Sequence, residues 1–177
     1  FMAVSPVSIQ FIDGERYAIV GESGSGKTTL ARMIAGLQRP TTGNIYVDGM
    51  PVYGKHKVHT NYFKEVQIIQ QDSSSALDPK MSIGKSIEEP LLCFFHLDKG
   101  ERKKRCHDLM DLCNLPVEYY SRLPAELSGG EQKRVAIARA LAAEPKCLIF
   151  DEATNGFDLP LRKKIIEEIV DLQRKLA

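Results

Sequence analysis

The eight residues Gly21-Glu22-Ser23-Gly24-Ser25-Gly26-Lys27-Thr28 carry the strongest chemical signal in the chain, because they fit the pattern GxxxxGK[ST] without exception. Their glycines permit a tight turn in which successive N–H groups point inward, and the helix that follows contributes partial positive charge at its start, so the loop can cradle phosphates. Lys27 is placed to reach the β- and γ-phosphates of a nucleotide, and the Thr28 hydroxyl to ligate Mg²⁺. Thr29, one position further on, either contacts a phosphate or serves only the helix start. A glycine-rich turn with a surface lysine is the plainer alternative, but the full pattern falls where the chemistry needs it, after an apolar run and before helical spacing.

A second signal is Cys147-Leu148-Ile149-Phe150-Asp151-Glu152, four apolar residues followed by two carboxylates. A core strand whose tip faces a bound nucleotide has this form. Asp151 would then hold Mg²⁺, directly or through water, and Glu152 would orient and deprotonate an attacking water. Many strands end in solvated acids, so this run gains its meaning from the phosphate loop upstream. The third signal is Leu127-Ser128-Gly129-Gly130-Glu131-Gln132, in which Ser128 and two glycines open a helix with a hydroxyl and bare N–H groups suited to an anion. Ser128 could equally be an ordinary cap with Glu131 reaching back. A second phosphate-seeking helix start in one chain is odd unless two chains meet.

The elements that must position these residues follow from periodicity. Val7 to Phe11 alternates in polarity, Asp13-Gly14 makes a turn, and Tyr17 to Val20 is apolar, which predicts strand, turn and buried strand. Leu30, Ile34 and Leu37 recur at helical spacing until Arg39, Pro40 and the Thr41 to Gly43 turn. Asn44 to Asp48 and Val66 to Ile69 read as strands of a small antiparallel sheet. From Ser82 to about Leu123 the pattern is helical, with Ile83, Ile87, Leu91 and Leu92 on one face and Cys106, Leu109, Met110 and Cys113 on another. A helix from about Gly130 to Ala143, a buried strand from Cys147 to Phe150 and a further βα pattern complete the chain.

Leu127 to Gln132, with Lys133-Arg134-Val135-Ala136-Ile137-Ala138-Arg139-Ala140-Leu141 behind it, resembles the LSGGQ signature and helix of ABC ATPases. The resemblance covers nearly the whole chain. It implies a P-loop NTPase fold of α/β class: a core with a mainly parallel sheet, an antiparallel β lobe and an inserted helical lobe at about 73–127, within one nucleotide-binding domain over 1–177. It also implies ATP and Mg²⁺ as ligands, contacts from Gly21 through Thr29, and head-to-tail dimers in which Ser128, Gly129 and Gly130 cap the partner's ATP. Ile68-Ile69-Gln70-Gln71-Asp72 resembles the family's Q-loop, whose glutamine contacts Mg²⁺ and the attacking water; Gln71 takes that role, Gln70 standing where relatives often carry an aromatic residue. Lys27, Gln71 and Glu152 are thus the catalytic set, and Thr28, Gln71 and Asp151 the metal ligands.

The stretch Ser74-Ser75-Ala76-Leu77-Asp78-Pro79, with Glu88-Glu89-Pro90-Leu91 behind it, looks like the oligopeptide, dipeptide and nickel importer branch, with Asp78 in place of the usual Asn. That branch implies a second ATPase subunit, identical or not, two transmembrane permease subunits, an extracytoplasmic solute-binding protein acting indirectly, and a peripheral place on the cytoplasmic face of the cell membrane. A soluble ABC ATPase outside transport, or the weakly hydrolysing regulatory half of an unequal pair, are the other readings. Asn155-Gly156-Phe157-Asp158 departs from the family's Ser-Ala-Leu-Asp and marks either such an unequal pair or neutral variation. His56, His59, His96 and His107 all precede Glu152, whereas the family's switch histidine follows it, and Phe1 is a doubtful adenine-stacking residue; the expectation is a chain truncated at both ends.

Composition narrows the partners. With 24 basic and 23 acidic residues among 177 and a net charge of +1, the chain lacks the positive field of a nucleic-acid binder, and none is expected. Its longest apolar runs, Ile9 to Ile12 and Leu91 to Leu97, fall short of the roughly 20 residues a membrane crossing needs. No basic-then-apolar leader is read, so the chain is expected to stay in the cytosol. Cys93, Cys106, Cys113 and Cys147 lack metal-site spacing and read as reduced, mostly packed thiols, and the Lys99 to Arg105 basic run reads as a solvated face rather than a lipid contact.

Overall fold

The computed structural model describes residues 4–53, 58, 61–70, 76–151, 160, 163 and 167. They fall into two compact units, residues 1–63 and 64–177.

In the first unit the phosphate-loop residues lead into α1 (Lys27–Ile34). Gly36 adopts φ 76° and ends it: the Gly36 N–H donates to the Met33 carbonyl at 3.2 Å and the Leu37 N–H to the Arg32 carbonyl at 2.9 Å, the paired reverse bonds of a left-handed glycine cap. Leu37, expected as a further helical position, therefore lies outside the helix and is exposed. The backbone freedom of one glycine outweighs apolar spacing. Two tyrosines serve the helix's orphan carbonyls: the Tyr53 hydroxyl lies 2.7 Å from the Met33 carbonyl, and the Tyr62 hydroxyl donates to the Ile34 carbonyl. The strands β1 (Tyr46–Val47) and β2 (Met50–Pro51) pair antiparallel. Asp48 at φ 49° and Gly49 at φ 75° form the two-residue turn between them, since positive φ at both positions matches the twist of a hairpin. A single turn, α2 (Tyr62–Glu65), follows.

Residues 4–26 contain no strand, against the two expected there. The turn at Asp13-Gly14 does form, with Gly14 at φ 76°, and it is held locally: the Tyr17 hydroxyl accepts from the Ile12 N–H at 2.9 Å and donates to Glu15 at 2.6 Å. Ile19 and Val20, expected to be buried, are exposed, as are Val7 and Ile9. Alternating polarity describes a surface willing to be covered, but a ladder also needs a neighbouring strand to supply its hydrogen bonds, and among the described residues none pairs with this segment.

In the second unit β3 (Val66–Ile69) and β4 (Cys147–Phe150) run parallel, Val66 opposite Cys147 and Ile69 opposite Phe150. β3 therefore belongs to a parallel pair, not to an antiparallel sheet with the Asn44 to Asp48 segment. β4 forms on its expected residues but is only half covered, with Cys147 exposed. Between them stand α3 (Ile83–Phe94) and α4 (Lys99–Leu112), two 3-10 turns (Val117–Ser121 and Pro124–Glu126), and α5 (Gly129–Ala142).

Ile83, Ile87 and Leu91 of α3, Cys106 and Met110 of α4, and Val135, Ile137 and Leu141 of α5 share one core, each fully buried aliphatic side chain contributing roughly 1.5–3 kcal/mol. Leu92, one residue and about 100° beyond Leu91 on the helix, points away and is 63% exposed, contrary to expectation. Cys106 and Cys113 are packed, while Cys93 and Cys147 are not. Asp98 and Glu101 cap α4 reciprocally, each side chain accepting the other's backbone N–H at 2.9 Å. Gly84 lets the Tyr120 ring lie where a Cβ would meet it at 2.2 Å, and the Tyr120 hydroxyl donates to Glu88 at 2.7 Å. Among the described residues no helix is long and apolar enough to cross a membrane.

Candidate functional site

The phosphate loop sits before α1 as its sequence requires. Gly24 and Gly26 take φ 80° and 92°, and a Cβ on Gly21 would meet the Ser25 hydroxyl oxygen at 2.8 Å, so the tight turn depends on these glycines. The helix start at Gly26 carries no side-chain cap and no acid in its first turn. Among the described residues no side-chain cap or first-turn acid competes with an anion for the positive end of this helix. Lys27 folds over the loop and donates to the carbonyls of Gly21 at 2.9 Å and Glu22 at 2.7 Å. This uses two of the ammonium's three protons. Thr28 and Thr29 occupy the first turn of α1, with Thr28 exposed and Thr29 half-buried.

At the parallel pair, the register that aligns Ile69 with Phe150 also sets Gln70 and Asp151 at neighbouring strand tips. The Asp151 N–H donates to the Ile69 carbonyl at 3.0 Å, extending the ladder by one bond past β4. Gln71 and Glu152, each one residue beyond these tips, lie outside the described residues, as do Asn155 to Asp158. Asp78 accepts the Lys80 N–H at 2.8 Å, a turn that Asn forms equally well, which removes the physical weight from that departure.

The start of α5 is exposed at Ser128, Gly129 and Gly130, above a buried Leu127. Gln132 fastens it by donating to the carbonyls of Pro124 at 2.9 Å and Leu127 at 3.2 Å. Unlike the start of α1, it is capped from within the chain. The Ser128 hydroxyl and Ser128 N–H both donate to the same Glu131 carboxylate oxygen at 2.7 Å, and the Glu131 N–H returns to the hydroxyl at 3.4 Å. The Tyr119 hydroxyl donates to the other carboxylate oxygen at 3.2 Å. The Ser128 hydroxyl, then its N–H, and more weakly Tyr119, hold the Glu131 carboxyl below the usual range. Among the described residues, no atom beyond their chain neighbours and their own helix lies within 4 Å of where a Cβ on Gly129 or Gly130 would stand, and neither has positive φ. The fold itself thus gives no reason for glycine at either position.

Two contributors escaped the sequence reading. Arg139 projects from α5 and donates to the Ala76 carbonyl at 2.9 Å and to Glu89 at 2.7 Å, tying the signature helix both to the first described residue after the Gln71 segment and to α3. A lone arginine inside an alanine-rich helical run was its only signal. Tyr119 lies on a 3-10 turn, where periodicity gives no warning of which way a side chain faces.

Residues 4–155 match the family model described as ABC transporter. The chain is 41% identical over 170 residues to the nickel import ATP-binding protein NikE of Brucella abortus, covering 96% of this chain and 64% of that protein. It is 40% identical over 177 residues to a putative peptide import ATP-binding protein of the same organism, covering 99% and 53%, and 37% identical over 178 residues to the oligopeptide transport ATP-binding protein OppF of Lactococcus lactis, covering 99% and 56%. It therefore spans between half and two thirds of the length of these relatives. Among solved structures it superposes on a dimeric ATP-binding cassette in a post-hydrolysis state bound to ADP and Pi, with a TM-score of 0.85 and 29% identity over 98% of this chain and 75% of that one. Against cbiO1 from Clostridium perfringens, part of the transporter complex cbiONQ, the TM-score is 0.74 with 28% identity, covering 98% of this chain and 68% of that one. A phosphate loop opening α1, the Asp151 carboxylate just past β4, a serine-glycine start to α5 and these matches converge on one conclusion: the chain belongs to the ABC transporter family.

Proposed function

We propose that the protein binds MgATP on its phosphate loop, hydrolyses it when a second ATPase subunit closes over that loop, and uses the cycle to energise an importer of oligopeptides, dipeptides or nickel. One observation carries the two-subunit requirement. Ser128, Gly129 and Gly130 form an exposed helix start whose glycines would meet no atom of another described element with an added Cβ, so their lack of side chains suits the close approach of another molecule. In a head-to-tail pair that molecule is the nucleotide on the partner's phosphate loop.

The residues divide the work. The loop N–H groups from Gly21 to Thr28 and the Lys27 ammonium neutralise and fix the phosphates, the electrostatic positioning on which phosphoryl transfer depends. Thr28, Gln71 and Asp151 offer a hydroxyl, an amide oxygen and a carboxylate, all hard oxygen donors that suit Mg²⁺. Mg²⁺, when bound, neutralises charge developing on the phosphate oxygens. Glu152 orients the attacking water and takes its proton, and Gln71 helps to place that water. Ser128 Oγ–H and the Gly130 N–H complete the site from the other subunit.

The transport role draws on the relatives named for nickel and peptide import, and brings with it two permease subunits, an indirect solute-binding partner and a peripheral position on the cytoplasmic face of the membrane. The test is purification of the tagged full-length protein from gently solubilised native membranes, with mass spectrometry of what comes with it and measurement of phosphate release. Two integral-membrane subunits and ATP-dependent turnover are expected. Turnover with ribosomal or DNA-repair partners and no membrane protein would overturn the transport role and leave the ATPase.

A further inference from the structure

Ser128 has the donors that the proposed trans site needs, but both are already spoken for. Its hydroxyl and its N–H converge on one oxygen of Glu131, each at 2.7 Å. A hydroxyl has one proton to give, so it cannot donate to Glu131 and to a phosphate oxygen together. The carboxylate is also an anion, seated where the helix start favours negative charge, and a phosphate arriving there would meet both an occupied donor and a like charge. Tyr119 steadies it from the other side at 3.2 Å, and Arg122 in turn stacks on the Tyr119 ring at 3.8 Å.

We propose that Glu131 is an internal competitor for Ser128: its carboxylate stands in for a phosphate oxygen in the unpaired subunit and must release the hydroxyl before the signature can close on ATP. This deepens, and rests on, the head-to-tail reading above. Glu131 is a positioning residue here. It sets how much ATP is needed to close the pair, because every closure exchanges the Glu131 bond for the phosphate bond. Glutamine at this position keeps an oxygen that can complete the reciprocal cap while removing the charge, which separates competition from helix stability. Tyr119→Phe removes the brace and leaves the charge.

The experiment uses the full-length protein carrying Glu152→Gln to slow turnover, and reads by sedimentation the MgATP concentration giving half-maximal dimer. With Glu131→Gln that concentration is expected to fall about three- to tenfold, the scale of the difference between a charge-assisted hydrogen bond and the neutral one that glutamine keeps. Tyr119→Phe is expected to lower it by a smaller factor. Ser128→Ala is expected to raise it, and to abolish the benefit of Glu131→Gln when the two are combined. Thermal unfolding of each variant reports whether α5 keeps its cap. If Ser128→Ala weakens dimerisation but Glu131→Gln does not strengthen it, the competition is wrong and the head-to-tail reading stands. Should Glu131→Gln retain its benefit without the Ser128 hydroxyl, the competition for Ser128 is likewise wrong. If Ser128→Ala changes nothing, the head-to-tail reading fails and this inference falls with it.

Discussion

Helix α1 begins at a glycine with φ 92°, no side-chain cap and no acid in its first turn, whereas α5 begins at a serine whose hydroxyl and amide are both held by a glutamate one turn on. Each start has the N–H groups and positive end that attract phosphate. The first has no side-chain cap and adds Lys27; the second satisfies itself with a carboxylate. An open start suits a ligand bound by the subunit alone. A self-capped start keeps a surface helix stable while its ligand is absent and, in the head-to-tail pair proposed above, gives way when another subunit brings one.

The largest expected effect comes from the open start. Lys27→Ala should lower ATP turnover by at least about 10²-fold, the scale for losing a preorganised charge on a transferring phosphoryl group, measured as phosphate release by the full-length protein with its partners. Turnover close to the parent rate would remove α1 from the chemistry.

Next come the glycines, where the two starts should respond with opposite sign. Gly26→Ala places a side chain at φ 92° and should cost about 1–2 kcal/mol in urea unfolding. Gly130→Ala enters open space at a helical position and should gain about 0.5–1 kcal/mol while weakening ATP-driven dimerisation. Equal effects on stability would erase the contrast.

Ser128→Ala should cost about 1 kcal/mol through the lost cap, seen as a lower thermal midpoint for α5 in the absence of nucleotide. No change would mean that Glu131 and the Ser128 N–H suffice. A separate effect is on the pH dependence of the unit that carries α5. Burial, more than the neighbouring Glu88, pushes the Cys106 thiol up to about 12 from 9.0. Its folded-state pKa is raised, so the stability it contributes is complete below about 9 and is lost as pH climbs toward about 12. Urea midpoints at pH 8 and 10.5 should therefore diverge, and Cys106→Val should narrow the gap.

Where backbone chemistry and packing agree, the sequence was readable. The phosphate loop, α5 and β4 stand within a residue or so of where their motifs placed them, because glycine torsions, a serine cap and a compact apolar run are local causes. Gly36 illustrates a local cause that was overlooked, closing α1 before Leu37. The pairing of β3 with β4 lay beyond reach, since the partners are separated by the whole of α3, α4 and α5 and no spacing rule names a strand's neighbour. The same gap explains Val7 to Val20, whose apolar side chains identified a face and not what covers it. Within the site, residue types announced Lys27, Ser128 and Asp151, and the serine cap with Glu131 reaching back was one of the two readings of Ser128, but nothing announced that Tyr119 would brace the Glu131 carboxylate, because that contact arises only after the 3-10 turn folds against the helix.

Arg139 has a mechanical consequence. Its planar fork fixes two points, the Ala76 carbonyl and Glu89, and as an exposed ion pair it adds little free energy, about 1 kcal/mol or less. Two bonds from one planar group nevertheless tether α5 to α3 and to the Ala76 backbone at a single point. A displacement of α3 relative to α5 therefore has to break or carry along the Ala76 bond as well.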